Sequence, residues 1–171
     1  MPANSPLLQF QGTDGEHRLV EALKAQSLVQ ERALAVELAR VLKLEAVRPG
    51  QVLIQQGSRG RDLYLILSGN FGIRIDGRLV SQVGPHQYLG EIGLLDPMGR
   101  RSAEVVALED SIVARVSSAD FFALADQHPR LWRTIATGLA QRLLKQSPPR
   151  NDHTRESVAD DVPHTRARQL S

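Results

Sequence analysis

Leu63-Tyr64-Leu65-Ile66-Leu67-Ser68-Gly69-Asn70-Phe71-Gly72-Ile73-Arg74-Ile75-Asp76-Gly77-Arg78-Leu79-Val80-Ser81 is the stretch that decides the fold. Two apolar runs, Leu63 to Leu67 and Phe71 to Ile75, read as strands, and Asp76-Gly77 after the second is a dipeptide favoured in two-residue hairpins, because glycine tolerates positive φ. Leu79-Val80-Ser81 is then the returning strand. Outward from this hairpin, glycines recur at Gly50, Gly57, Gly60, Gly69, Gly72, Gly77 and Gly84, and further strands are expected at Leu53 to Gln55, Ala103 to Ala107 and Ser111 to Val116. No helix-length segment separates these strands, so the spacing predicts a sandwich or barrel rather than a βαβ sheet, and the fold expected is an antiparallel β jelly roll or barrel.

Helical periodicity frames this centre. From Glu16 on, Leu19, Val20, Leu23, Leu28, Val29, Ala33, Leu34, Leu38, Val41 and Leu42 recur mostly every three or four residues, as a pair of amphipathic helices requires. Ser27 is a candidate cap for the second. After the strands, Ser118-Ala119-Asp120 reads as a helix cap, and Pro129 opens a longer helix, 129–146, with Leu131, Trp132, Ile135, Ala136, Leu139, Ala140, Leu143 and Leu144 on its apolar stripe. Pro148-Pro149 ends it. The fold class is mainly β with flanking α. The expected organisation is a mobile N-terminus over 1–15, one domain over 16–147 and a disordered polar tail over 148–171.

Composition narrows the function classes. The chain has 171 residues, 42% apolar and 23% charged, with a formal charge of +2, too small to argue for a nucleic-acid or membrane surface. The absence of cysteine excludes disulfides, thiolate catalysis and Cys-based metal sites. No apolar run approaches the ~18 residues of a membrane helix and the N-terminus lacks the basic start of a secretion signal, so a cytoplasmic protein is expected. His17, His86, His128, His153 and His164 share no ligand spacing, and no Ser or Thr sits in a nucleophile elbow, so neither a metal nor catalysis is expected.

The chemistry concentrates in Tyr88-Leu89-Gly90-Glu91-Ile92-Gly93-Leu94-Leu95-Asp96-Pro97-Met98-Gly99-Arg100-Arg101-Ser102-Ala103. A glycine followed by a carboxylate starts a short helical turn, and Arg101 lies ten positions after Glu91 across a loop containing Pro97 and Gly99. Donors and a guanidinium suit a phosphate, and a carboxylate suits a ribose hydroxyl. A structural salt bridge between Glu91 and Arg101 is the plainer alternative.

These residues resemble the cyclic-nucleotide-binding domains of bacterial cyclic AMP receptor proteins, protein kinase A regulatory subunits and nucleotide-gated channels. The resemblance covers roughly residues 19–147. It includes Arg48-Pro49-Gly50-Gln51-Val52-Leu53-Ile54-Gln55-Gln56-Gly57, the strand ending in Leu67-Ser68-Gly69, and the phosphate-binding cassette Gly90-Glu91-Ile92-Gly93-Leu94 with Arg101-Ser102-Ala103. The resemblance implies that Arg101 neutralises the cyclic phosphate and Glu91 accepts the ribose 2′-hydroxyl. Gly90, Gly93 and backbone amides near Ile92, Ser102 and Ala103 would complete the cradle. The ligand would be cyclic AMP or cyclic GMP, with no metal. His86 departs from the small residue, usually Gly, that commonly precedes the cassette.

The resemblance also implies a homodimer through helix 129–146, with Gln146 and Ser147 near the base. Ser147 to Ser171 are too few and too polar for a helix-turn-helix, so DNA binding is not expected. The expected protein is a non-enzymatic sensor that signals by moving its C-terminal helices to an effector protein in another chain. A family member that keeps the fold as an interaction module without nucleotide is the alternative.

Overall fold

The structure is a computed structural model and describes residues 5–146. A 3-10 turn at Pro6–Phe10 leads into helices α1 (Gly12–Lys24) and α2 (Arg32–Val41). Strands β1 (Lys43–Val47), β2 (Val52–Ile54), β3 (Leu63–Ser68), β4 (Phe71–Ile75), β5 (Arg78–Val83) and β6 (Tyr88–Leu89) follow. The short helix α3 (Glu91–Leu95) interrupts them before β7 (Glu104–Ala107) and β8 (Ser111–Val116), and α4 (Ser118–Gln127) and α5 (Arg130–Gln146) close the described chain.

The strands pair antiparallel in two four-stranded sheets, ordered β1-β8-β3-β6 and β2-β7-β4-β5. The jelly-roll class is as expected, and of the two architectures anticipated, stacked sheets and a closed barrel, the pairing describes the first.

Alternation along β3 sets the layers, since successive side chains of a strand face opposite sides. Leu63 and Leu65 join a cluster with Leu23, Leu38, Phe121, Leu131 and Ile135, so one face of the first sheet is covered by helices. Tyr64 and Ile66 join Phe71, Leu89, Val105 and Val113, the filling between the two sheets. A strand apolar on both faces has to be the middle layer, and β3 is buried from Leu63 to Ile66.

The predicted hairpin is present: Asp76 and Gly77 both have positive φ, 50° and 76°, as a two-residue turn with primed geometry needs. Gly69 is held by closer packing, because a Cβ there would lie 2.0 Å from the Ser111 hydroxyl oxygen.

Element ends differ from the sequence reading for local reasons. The first helix begins at Gly12 rather than Glu16, in a stretch with no large apolar side chain to set a period. Ser27 does not cap α2: its backbone N–H donates to His86 O at 3.0 Å, Leu28 and Val29 are buried in the turn, Gln30 has φ 56°, and α2 starts at Arg32. His86, in the position expected to favour glycine, has φ 71°. The cap of α4 is Ser117, one residue before the expected position. Strands β1 and β6 were not separately anticipated. The expected tail, 148–171, and Ser147 lie outside the described residues.

The cap of α4 is reciprocal with the acidic first turn: Ser117 Oγ accepts from the Asp120 N–H at 3.1 Å and donates to the Asp120 carboxylate at 2.6 Å. Ser117→Ala should lower unfolding free energy by about 1 kcal/mol, read from denaturant midpoints at unchanged slope.

Candidate functional site

The expected helix start forms where the sequence places it. β6 ends at Leu89, Gly90 turns the chain in the left-handed region with φ 92°, and α3 begins at Glu91. Beyond α3, the Asp96 carboxylate accepts from the Met98 and Arg100 N–H groups at 2.9 and 3.2 Å and folds the loop back. The loop then runs beside the segment between β2 and β3: Gly60 N–H donates to Gly99 O at 2.9 Å, and Arg101 N–H to Ser58 O at 2.9 Å.

This return buries Arg101, 6% exposed, and leaves its neighbour Arg100 at the surface. The Arg101 guanidinium occupies a slot walled by glycines. A Cβ on Gly90 would lie 2.7 Å from Nη1, one on Gly93 3.0 Å from the same nitrogen, and one on Gly60 3.2 Å from Nε and Nη2. Any side chain at these positions would crowd the slot.

The slot offers the cation oxygens but no carboxylate of its own. Nη1 donates to Gly90 O at 3.2 Å and Nη2 to Asp62 O at 2.9 Å, with the Tyr64 ring centroid 5.9 Å from Cζ. The Asp62 carboxylate is bonded by Arg115 Nε at 2.7 Å. Burial depresses the Arg101 pKa, the nearby Tyr64 and Asp62 oppose that shift, and a guanidinium remains charged throughout the physiological range. A buried cation with no carboxylate in hydrogen-bond contact is costly, and an anion placed against it relieves that cost.

Glu91 is also buried, 2% exposed, but its partner is not Arg101. Arg142 of α5 donates through Nη1 to Glu91 Oε1, and Nη2 reaches Tyr88 O at 3.4 Å. The Arg142 guanidinium also lies 5.6 Å from the Tyr88 ring centroid. Gly138, one turn earlier on α5, admits the Tyr88 hydroxyl, which would lie 2.3 Å from a Cβ there. The salt bridge between Glu91 and Arg101 considered from sequence does not form; the carboxylate is tied to a helix instead, and the guanidinium keeps main-chain oxygens and the Tyr64 ring as its contacts.

The remaining expected residues surround these two. Gly93 is buried and Ile92 is 44% exposed on α3. Ser102 is exposed and Ala103 half-buried where the chain leaves Arg101 for β7. Sequence reasoning missed Gly60, Asp62 and Arg142. Arg142 had a signal: it lies seven residues after Ile135 and eleven after Leu131, on the helix face that those two buried residues define. Gly60 and Asp62 had none, because they act through main-chain atoms and a missing side chain. A cleft of about 400 Å³ borders Arg142 between β6 and α5, lined by Ser27, Gln87, Tyr88 and Gln141 among others. Among the described residues no group of three or more His, Asp or Glu is placed to hold a metal, and no helix is long and apolar enough to cross a membrane.

Residues 44–128 match the cyclic nucleotide-binding domain family. The Pycsar effector protein XpPycTIR of Xanthomonas perforans is 36% identical over 140 residues, which is 81% of this chain and 46% of that protein. The cyclic AMP receptor protein of Thermus thermophilus is 36% identical over 99 residues, 55% of this chain and 45% of that one. The chain thus spans about half the length of these curated relatives. The crystal structure of the Thermus thermophilus catabolite activator protein superposes with a TM-score of 0.57 at 26% identity, covering 82% of this chain and 59% of that chain. The matched span runs from β1 to the end of α4 and takes in both sheets, the glycine slot and Arg101, so the chain belongs to the cyclic-nucleotide-binding domain family.

Proposed function

We propose that the chain is a sensor whose cassette binds cyclic AMP or cyclic GMP and whose C-terminal helices move in response. The observation that supports this most directly is the buried Arg101 guanidinium, held by carbonyl oxygens in a glycine slot without a carboxylate partner among the described residues. In this reading the cyclic phosphate sits against Arg101. Gly90, Gly93 and the main-chain N–H groups near Ile92, Ser102 and Ala103 complete the cradle. Glu91, whose Oε1 holds Arg142, presents its second oxygen to the ribose 2′-hydroxyl.

The shared carboxylate supplies the coupling. Ribose and Arg142 address one buried group, so occupancy of the cradle changes what α5 gains by lying where it does. A ligand shifts the helix only by its difference in affinity for the two arrangements, and the Glu91 contact is where that difference arises. The output passes to an effector protein in another chain. A relative that carries the name effector is about twice the length of the match, so there the same domain stands beside further sequence. The exposed stripe of α5, with Ala136 and Ala140 at the surface and Leu144 76% exposed, suits a homodimer through this helix.

Binding strength follows from ligand size: about 22 non-hydrogen atoms at ~0.3 kcal/mol each give a micromolar-scale Kd. Calorimetric titration with cyclic AMP, GMP, CMP and UMP tests the reading, since the cradle addresses phosphate and ribose and leaves the base to be ranked. The native protein should bind at least one at micromolar Kd, and Arg101→Ala, folded by circular dichroism, should bind about 30-fold more weakly or worse, as loss of a charge-assisted contact predicts. No heat and no rise in melting temperature with any of the four would instead establish the interaction module that keeps the fold without the ligand.

Two further outcomes concern α5. Arg142→Met strands the Glu91 carboxylate and should lower stability by about 2 kcal/mol, below the usual figure for a broken buried pair because the Arg142 side chain is 38% exposed. Adding Glu91→Gln should recover most of that loss in a double-mutant thermal cycle. For the dimer, sedimentation should show two chains for the native protein and one for Leu144→Glu; a native monomer at high micromolar concentration would remove the dimer from the proposal.

A further inference from the structure

We propose that Arg61 couples the cassette to the N-terminal end of α5, through an aromatic stack that α4 and α5 share. The purpose of this coupling rests on the cyclic-nucleotide reading; its geometry does not. Arg61 lies between Gly60 and Asp62, the two residues whose main chains grip the cassette loop and Arg101. Its Nη2 donates to the Leu94 carbonyl, in the last turn of α3, at 3.0 Å. Its stem lies against the loop: a Cβ on Gly99 would be 2.9 Å from Arg61 Cγ and 3.2 Å from Cδ.

The far side of the same guanidinium faces α4. Its Cζ is 5.5 Å from the centroid of the Phe122 ring. Phe122 in turn stacks on Trp132, in the first turn of α5, at 5.7 Å and 21° between planes. Phe121 meets both rings edge-on, at 6.0 Å and 74° for Phe122 and 5.5 Å and 87° for Trp132. A planar guanidinium can donate in its plane and stack through its face at once, which a lysine ammonium cannot do.

Two arginines therefore tie the cassette to opposite ends of one helix. Arg142 links Glu91, at the start of α3, to the C-terminal part of α5. Arg61 links Leu94, near the end of α3, through Phe122 to Trp132 at the N-terminal end. A displacement of α3 acts on α5 at two points ten residues apart, Trp132 and Arg142, and so changes its tilt as well as its distance from the sheets.

Amide hydrogen exchange tests the coupling without any nucleotide. The Leu94, Asp96 and Gly99 amides are each hydrogen-bonded within the cassette, to Gly90, Ile92 and Asp96 carbonyls, and report on its opening. Arg61→Ala and Phe122→Leu should each speed their exchange by about two- to five-fold, the size expected of an exposed cation–π contact. The double variant should be no faster than the faster single one, because both substitutions break one link. The Ile66 amide, bonded to Gln87 O at the end of the β3–β6 pairing away from Gly90, should not change. Unchanged cassette exchange in Phe122→Leu, multiplicative effects in the double variant, or an equal rise at Ile66 would each overturn the coupling.

A second arm uses ligand. Trp132 is the single tryptophan, so its emission reports on the stack. In the native protein, addition of the cyclic nucleotide that calorimetry ranks first should change that emission. In Arg61→Ala the change should be largely lost while calorimetry still records binding, and Arg61→Lys should restore only part of it. A full emission change in Arg61→Ala would overturn the coupling. Failure of the native chain to bind any nucleotide would overturn the functional reading, and the exchange result would still decide the coupling by itself.

Discussion

The buried Arg101 guanidinium is the constraint around which the site is organised. A cation 6% exposed, held by the carbonyls of Gly90 and Asp62, survives only where the backbone can approach it from several sides. Gly60, Gly90 and Gly93 make that approach possible by having no Cβ, and the left-handed φ of Gly90 is available to glycine at little cost. The segment between β2 and β3, the start of α3 and the returning loop are drawn together by one side chain. A surface arginine, hydrated on most sides, would not require such an arrangement.

The second organising feature is that the cassette is tied to helices as well as to strands. β6 delivers Tyr88 to the helical side and Leu89 to the space between the sheets, so the residue pair preceding Gly90 senses both layers. Gly138 lets α5 close on the Tyr88 hydroxyl, and Arg142 reaches Glu91 from the same helix. Cassette and α5 are thereby joined by direct contacts that bypass the close-packed interior between the sheets, which has little room to deform.

The layered fold was legible in the chain because its signals are local. Period-two apolar runs, the Asp76-Gly77 turn and the return of helical spacing after Ser118 each depend on residues a few positions apart, and β3, β4, β8, α4 and α5 appear where those patterns put them. Boundaries set by distant contacts were not legible. Ser27 looks like a cap but gives its N–H to His86, and α2 waits until Arg32 because Leu28 and Val29 are claimed by the core. β6 has two residues, too few to show a period, and exists because it pairs with Tyr64 and Leu65 of β3.

For the site, the sequence alone determined which residue types could meet a phosphate and a ribose, and that Glu91 and Arg101 flank one loop, since a glycine-led turn and the spacing across Pro97 and Gly99 are properties of contiguous chain. It left their partners open. Whether Glu91 would neutralise Arg101 or some other cation depends on side chains 10 and 51 positions away competing for one carboxylate, and that competition is decided by the packing of α5 across β6. The tertiary structure settled it in favour of Arg142, because Gly138 brings α5 close to Tyr88 while the glycine slot holds Arg101 against main-chain oxygens. Long-range pairing of charges is a property of surfaces brought together by burial, and burial is the term that a linear spacing does not contain.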